Sequence, residues 1–265
     1  MKKTLTTLLT ALSLTTGCGG SQQPSGTTQQ SAAPIQPEAE APQADTFTTP
    51  GGKTVRITAL LHASLRLEYD GREIQVDPVG RLGDRTVDYA AMPKADYLLV
   101  THEHGDHLDP EALATLTTEG TELLTNARCA AQLGHGRALA NGDSLTMAPD
   151  IAVRAVPAYN TTEGHLQVHP RGRDNGYLLT LDGLRIYIAG DTEDIPEMAD
   201  LGSVDIAFLP CNQPYTMTPE QLLRAARTVR PRVLFPYHFG ATDLSTIPEA
   251  LQADGIDVRI RPAFE

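Results

Sequence analysis

The sequence predicts an α/β protein in which paired β-sheets are covered on their outer faces by helices. Short β-branched or leucine-rich runs recur along most of the chain, the signature of a strand-rich fold. Asp70-Gly71 and Asp182-Gly183 each sit between two such runs, the strongest short-range hairpin signal a sequence offers. Helical signals are present but fewer.

Taken in chain order, Met1-Lys2-Lys3 places positive charge ahead of the apolar run Leu5 to Leu14, and the small residues Thr15-Thr16-Gly17 then precede Cys18. That order is the one a secretory signal uses. The run is too short to span the roughly 30 Å hydrocarbon core, which needs about 20 apolar residues. Cys18 after a small residue resembles a bacterial lipobox, although Thr15 stands where the usual pattern has Leu. The expectation is a cleaved leader and a lipid on Cys18, with the protein anchored in a bacterial cell envelope, facing the periplasm or the surface. A plain signal peptide is the alternative and would make it secreted. Residues 19–50 are largely Gln, Ser, Thr, Pro, Ala and Glu with Phe47 the only aromatic, and such a stretch buries too little to offset its chain entropy. It is read as a disordered linker, and 51–265 as one domain.

Within that domain strands are expected over Val55–Leu61, Leu65–Tyr69, Glu73–Val76, Tyr97–Thr101, Ile151–Val156, Tyr177–Leu181, Leu184–Ile188, Asp205–Leu209 and Arg232–Pro236. Thr218-Pro219-Glu220-Gln221 joins a capping hydroxyl, a proline at the first helical position and a glutamine three residues after the cap. Leu222, Leu223, Ala226 and Val229 then recur at helical spacing, and the helix should stop before Pro231. Pro110–Leu116 and Ile247–Ala253 read as further helices.

The formal net charge of −12 disfavours nucleic acid as a partner, because such binding is driven by Lys and Arg neutralising phosphates. A small-molecule substrate is expected instead, with contact to membrane through the lipid alone. Beyond Cys18 only Cys129 and Cys211 remain, too few for a disulfide framework, so each reads as a buried thiol. Oligomeric state leaves no mark on the sequence.

The chemistry concentrates in His102-Glu103-His104-Gly105-Asp106-His107, directly behind the strand-like run Tyr97–Thr101. His102 and His104, two apart on an extended segment, can point to the same side. Gly105 is expected to let the chain curl back at positive φ, so that Asp106 and His107 face a second ion beside the first. Imidazoles with a carboxylate suit Zn²⁺, with Mn²⁺ and Fe²⁺ as competitors.

Thr101–His107 resembles the signature of the metallo-β-lactamase superfamily, whose fold is a four-layer αββα sandwich. Ile74–Pro78, Ala189–Thr192 and Phe235–Phe239 extend the likeness, and VDP with PYHF point to the branch of the L-ascorbate-6-phosphate lactonase-like proteins and, more remotely, the N-acyl-phosphatidylethanolamine phospholipases D. The resemblance implies two divalent ions: His102 and His104 on the first, Asp106, His107 and His238 on the second, Asp191 between them. Asp77 reads either as a turn aspartate or as a support for a ligand imidazole through its other N–H. His62 is expected to be packed or supporting rather than a ligand. Where the simpler pattern has a third histidine for the first ion, this sequence has Tyr159-Asn160. His165 and His169 are both available, and the resemblance favours His169, leaving His165 to bind substrate.

These residues imply hydrolysis by a hydroxide held between two ions, oriented by Asp106. A Ser-His-Asp mechanism has no G-x-S-x-G to build on. Arg171 is a candidate for recognising an anionic group and Tyr215 for a pocket wall. A small anionic ester, lactone or phosphodiester is the expected substrate. A redox di-iron protein of the same fold is the first alternative, though there a carboxylate stands where His104 does; a non-catalytic binding lipoprotein is the second. Replacing Cys18 by Ser should move the protein out of the membrane fraction. Wild-type protein entering the aqueous phase of a detergent partition would remove the anchor.

Overall fold

A computed structural model describes residues 43–265. The leader, Cys18 and most of the expected linker lie outside these residues. The first sheet begins with β1 (Ala44–Thr48), β2 (Thr54–Leu61), β3 (Ser64–Tyr69) and β4 (Arg72–Val76), which form an antiparallel meander. A two-stranded hairpin of β5 (Arg81–Leu82) and β6 (Arg85–Thr86) follows. The sheet then turns parallel through β7 (Tyr97–Leu99), β8 (Glu122–Thr125) and β9 (Arg137–Ala138), with α1 (Pro110–Leu116) and α2 (Ala127–Leu133) between them.

The second sheet repeats the scheme. β10 (Ser144–Ala148), β11 (Ile151–Ala158), β12 (Asp174–Leu181) and β13 (Leu184–Ile188) are antiparallel. β14 (Ile206–Pro210), β15 (Val233–Tyr237) and β16 (Asp257–Val258) continue in parallel, with α3 (Pro219–Val229) and α4 (Ile247–Gln252) between them. Each sheet thus has seven strands in chain order, and helices cover the outer faces in a mixed α/β sandwich of αββα type.

The alternation of strand side chains explains the layering. On β7, Tyr97 and Leu99 enter the large core between the sheets, while Leu98 and the following Val100 enter a smaller one with Ala112, Leu113 and Leu116 of α1. Both expected hairpins form: Asp70 and Gly71, like Asp182 and Gly183, have positive φ, the conformation that matches the twist of two-residue hairpins. At α3 the Thr218 hydroxyl accepts from Gln221 N at 3.2 Å and Gln221 Oε1 accepts from Thr218 N at 2.8 Å, closing the expected capping box. Cys129 and Cys211 are free and buried.

The linker boundary needs correction, because β1 lies inside the stretch expected to be disordered. It pairs with β2 from Ala44↔Thr58 to Thr48↔Thr54, and Phe47 packs edge-on to Phe235 at 6.4 Å. Asp45 accepts from Arg259 at 2.8 Å and Arg261 at 2.9 Å. An edge strand has one solvated face, so its composition reads as polar while its backbone is paired. β8, β10 and α2 were likewise not expected: β8 is short, β10 is largely solvated, and α2 buries only Cys129 and so carries no apolar stripe.

Thr218→Ala removes the hydroxyl half of the box and should lower stability by about 1 kcal/mol. Urea unfolding checks this, and an unchanged midpoint would show that the cap is not formed.

Candidate metal centre

The ends of four parallel strands carry most of the site. Asp77 follows β4 directly, His102 comes three residues after β7, Asp191 three after β13, and His238 directly after β15. Both sheets send these ends to one edge, so that residues distant in sequence meet. His102, His104 and His169 bring ligand atoms within 4.8 Å of one another, as do His102, His107 and Asp191, and as do His62, Asp106 and His238.

Asp191 lies at the middle, 2 % exposed. Its Oδ1 is 3.2 Å from His107 Nε2; its Oδ2 is 3.2 Å from His238 Nε2, 3.3 Å from His169 Nε2 and 3.8 Å from His102 Nε2. Gly190 places it there: its φ is +67°, and a Cβ would come 2.7 Å from the Asn175 carbonyl oxygen. Asp106 Oδ2 lies 3.4 Å from His238 Nε2 and 4.0 Å from His107 Nε2.

A second ring of carboxylates backs the imidazoles. Asp77 accepts from Thr101 N at 2.8 Å and Thr101 Oγ1 at 2.7 Å, and its Oδ2 faces His107 Nδ1 at 2.8 Å. Asp174, which carries no sequence signal beyond opening a strand, faces His169 Nδ1 at 3.0 Å and is held by Arg173 Nε at 2.7 Å. Each carboxylate engages one ring nitrogen and turns the other inward. Asp77, His62 and His238 all have left-handed backbones, at φ +43°, +55° and +47°, a conformation that costs energy outside glycine and collects at functional sites.

Of the two candidate histidines, His169 is the one brought beside His102 and His104. His165 faces Glu193 at 3.4 Å and joins no ligand group among the described residues. Glu193, also unsignalled in the sequence, accepts from the N–H and hydroxyl of both Thr161 and Thr162, pinning the loop that leads to His169. Two expectations change. Gly105 is not at positive φ; the chain instead turns helically, with His104 O accepting from His107 N and Leu108 N at 3.0 and 2.8 Å. Arg171, its side chain 72 % exposed, pairs with Glu197 at 2.7 Å and lies over the Tyr159 ring, so its charge is already engaged. His62, expected to pack or support, brings a ring nitrogen within 4.8 Å of ligand atoms of Asp106 and His238. Tyr215 is half exposed, with its carbonyl accepting from Asn160 Nδ2 at 2.8 Å.

The donor set fits a metal. Among the described residues, His107 Nε2, His169 Nε2, Asp191 Oδ1 and both ring nitrogens of His238 are buried without a hydrogen-bond partner. Buried polar atoms are rarely left so, and the Nε2 atoms that converge on Asp191 suit a bound cation. The charge balance agrees. Burial, then the neighbouring histidines led by His107, hold His102 well below the usual imidazole range. Burial opposes charge on His238, but Asp191 and Asp106 outweigh it and push its pKa up to about 9. Burial likewise opposes charge on His107, and Asp191 with Asp77 raise it well above the usual value.

This arrangement on this sandwich defines a metallohydrolase of the metallo-β-lactamase fold. Residues 56–238 match the beta-lactamase superfamily domain. The chain belongs to that superfamily, within the UPF0173 metal-dependent hydrolases: one from Ligilactobacillus salivarius is 32 % identical over 194 residues, covering 70 % of this chain and 85 % of that one. The chain is also similar to a candidate metal-dependent hydrolase from Parabacteroides distasonis, at 53 % identity and a TM-score of 0.81 over 84 % of this chain and all of the other. The metallo hydrolase Igni18 from Ignicoccus hospitalis is 27 % identical with a TM-score of 0.66, over 80 % and 96 % of the two chains.

Two outcomes follow from the geometry. His169→Ala should lose bound metal while His165→Ala keeps it, read by elemental analysis; the reverse pattern would exchange their roles. In the metal-free protein Asp191 and Asp106 favour the protonated form of His238, and that proton must leave for an ion to bind. Metal affinity should therefore climb from about pH 6 to about pH 9 in competition with a chromogenic chelator. A flat profile would contradict the raised imidazole values.

Proposed function

We propose that the protein hydrolyses a small-molecule substrate at a binuclear metal centre. His102, His104 and His169 would hold the first ion, Asp106, His107 and His238 the second, with Asp191 shared between them. Zn²⁺ suits this set of nitrogens and carboxylates, with Mn²⁺ and Fe²⁺ as competitors. When bound, such a pair of ions supplies an activated hydroxide and a Lewis acid for the bond attacked. The observation that carries the reading is the group of partnerless buried donors converging on Asp191.

The protein's own groups perform the rest. Asp77 and Asp174 keep His107 and His169 in the tautomers that point Nε2 inward. Asp106, its side chain 31 % exposed and thus the most accessible of the carboxylates at the centre, can accept a hydrogen bond from the attacking water and orient it. Leaving-group protonation falls to solvent or to an acid brought by the substrate.

An anionic ester, lactone or phosphodiester is the substrate class we favour, on the resemblance to the lactonase-like branch. With Arg171 bound to Glu197, the ions themselves would be the main anchor for a negative group. The His-rich donor set favours hydrolysis over a di-iron redox role. The anchor on Cys18 would place this activity at the cell envelope.

Metal quantification on the purified protein should find close to two equivalents, and chelation should abolish turnover in a screen of esters, lactones and phosphodiesters. Activity surviving complete metal removal would rule out this mechanism.

A further inference from the structure

Two segments remote from the ligand motif converge on His62. Its backbone N–H donates to Ala263 O at 2.7 Å, and its carbonyl accepts from His238 N at 3.2 Å. Its ring Nδ1 faces the main-chain oxygen of Glu265 at 3.0 Å. A main-chain oxygen can only accept, so Nδ1 carries the proton and Nε2 presents a lone pair. That lone pair faces the centre, with Nε2 3.6 Å from Asp106 Oδ2 and the ring 3.8 Å from that of His238. At 3.6 Å the Asp106 contact is too long for a hydrogen bond, yet it suits two ligands of one cation.

The Glu265 oxygen is itself held. Arg85, on the β5–β6 hairpin, donates to it through Nη2 and reaches Ala263 O through Nη1 at 3.5 Å. Between these two residues Phe264 is 1 % exposed and packs edge-on to Phe208 at 5.8 Å and Tyr237 at 6.1 Å, which fixes the turn at Pro262–Phe264 in the core. Arg85 forms no ion pair with a side-chain carboxylate among the described residues, so this pair of main-chain oxygens is its engagement.

We propose that His62 is a ligand of the second ion beside Asp106 and His238, and that Arg85, acting through the main-chain oxygen of Glu265, is its positioning residue. This rests on the two-ion reading above and extends it. Fixing the ring from behind is what Asp77 and Asp174 do for His107 and His169, here with a main-chain oxygen in place of a side-chain carboxylate. The left-handed backbone of His62 is retained because it delivers both the ring to the ion and the carbonyl to His238.

The test is a calorimetric titration of the metal-free full-length protein with Zn²⁺, with thermal unfolding of each metal-free variant alongside. Wild type should bind two equivalents. His62→Ala and Arg85→Ala should leave the tighter step unchanged and weaken the second, Arg85→Ala by about 10-fold or more, as the loss of a ligand's support does. Arg85→Lys, which keeps a cation near the same oxygen, should recover most of that loss. Arg85 sits on a short, largely solvated hairpin, so its variants carry the test if His62→Ala does not fold. Two equivalents with unchanged affinities in both variants would overturn this assignment and leave the two-ion reading standing, as would a fall in unfolding temperature with metal binding intact. A single equivalent in wild type would overturn both.

Discussion

A carboxylate in a protein interior is stable only beside compensating charge, and Asp191 is such a carboxylate. Burial opposes its ionisation, yet His107 and His238 hold it far below the usual carboxylate range. Four imidazoles approach its two oxygens within 3.8 Å. Imidazolium can supply part of the compensation, but among the described residues it leaves Nε2 atoms and an oxygen facing Asp191 without partners, an arrangement that suits divalent cations. The architecture around this residue reads as a means of placing these groups together without letting them hydrogen-bond one another and collapse.

The sandwich achieves this by duplication of form. Each sheet is an antiparallel meander followed by a parallel helix-connected half, and the strand ends of the parallel halves meet at one edge. Ladder pairing makes the strand ends rigid, so residues one to three positions beyond them are placed by backbone rather than by flexible loops. His104, Asp106 and His107 lie further on, in the turn after β7, and His169 lies on a long connection between β11 and β12. Glu193 and Asp174 compensate by tying that connection down on both sides of the imidazole. Arg173, bound to both Asp174 and the Val168 carbonyl, spends its charge on the same purpose.

The Asp77, Asp174 and Glu265 contacts share one logic. A histidine free to rotate or change tautomer offers a metal either nitrogen, and each outer acceptor removes that freedom. The acceptors differ in kind, two buried side-chain carboxylates and one main-chain oxygen. The electrostatic consequence also differs: the carboxylates add negative charge behind His107 and His169, whereas the Glu265 oxygen orients His62 while Arg85 offsets its polarity.

Much of the fold was legible because its signals are local. Alternation within β2–β4 and β11–β13, the Asp-Gly turns and the Thr218–Gln221 box depend on residues within a few positions of one another, and all appear in the structure. The cluster His102 to His107, with Asp191 and His238, was legible for a related reason: ligand types condensed behind strand ends leave a recognisable string. β1 escaped because its order comes from pairing with β2 and from Arg259 and Arg261, more than two hundred residues away. For the same reason the sequence alone left His165 and His169 as rivals and offered Arg171 as a candidate for an anionic group. Which ring faces a shared cation, and which guanidinium is already paired, are set by contacts between segments that only the packed sandwich brings within reach.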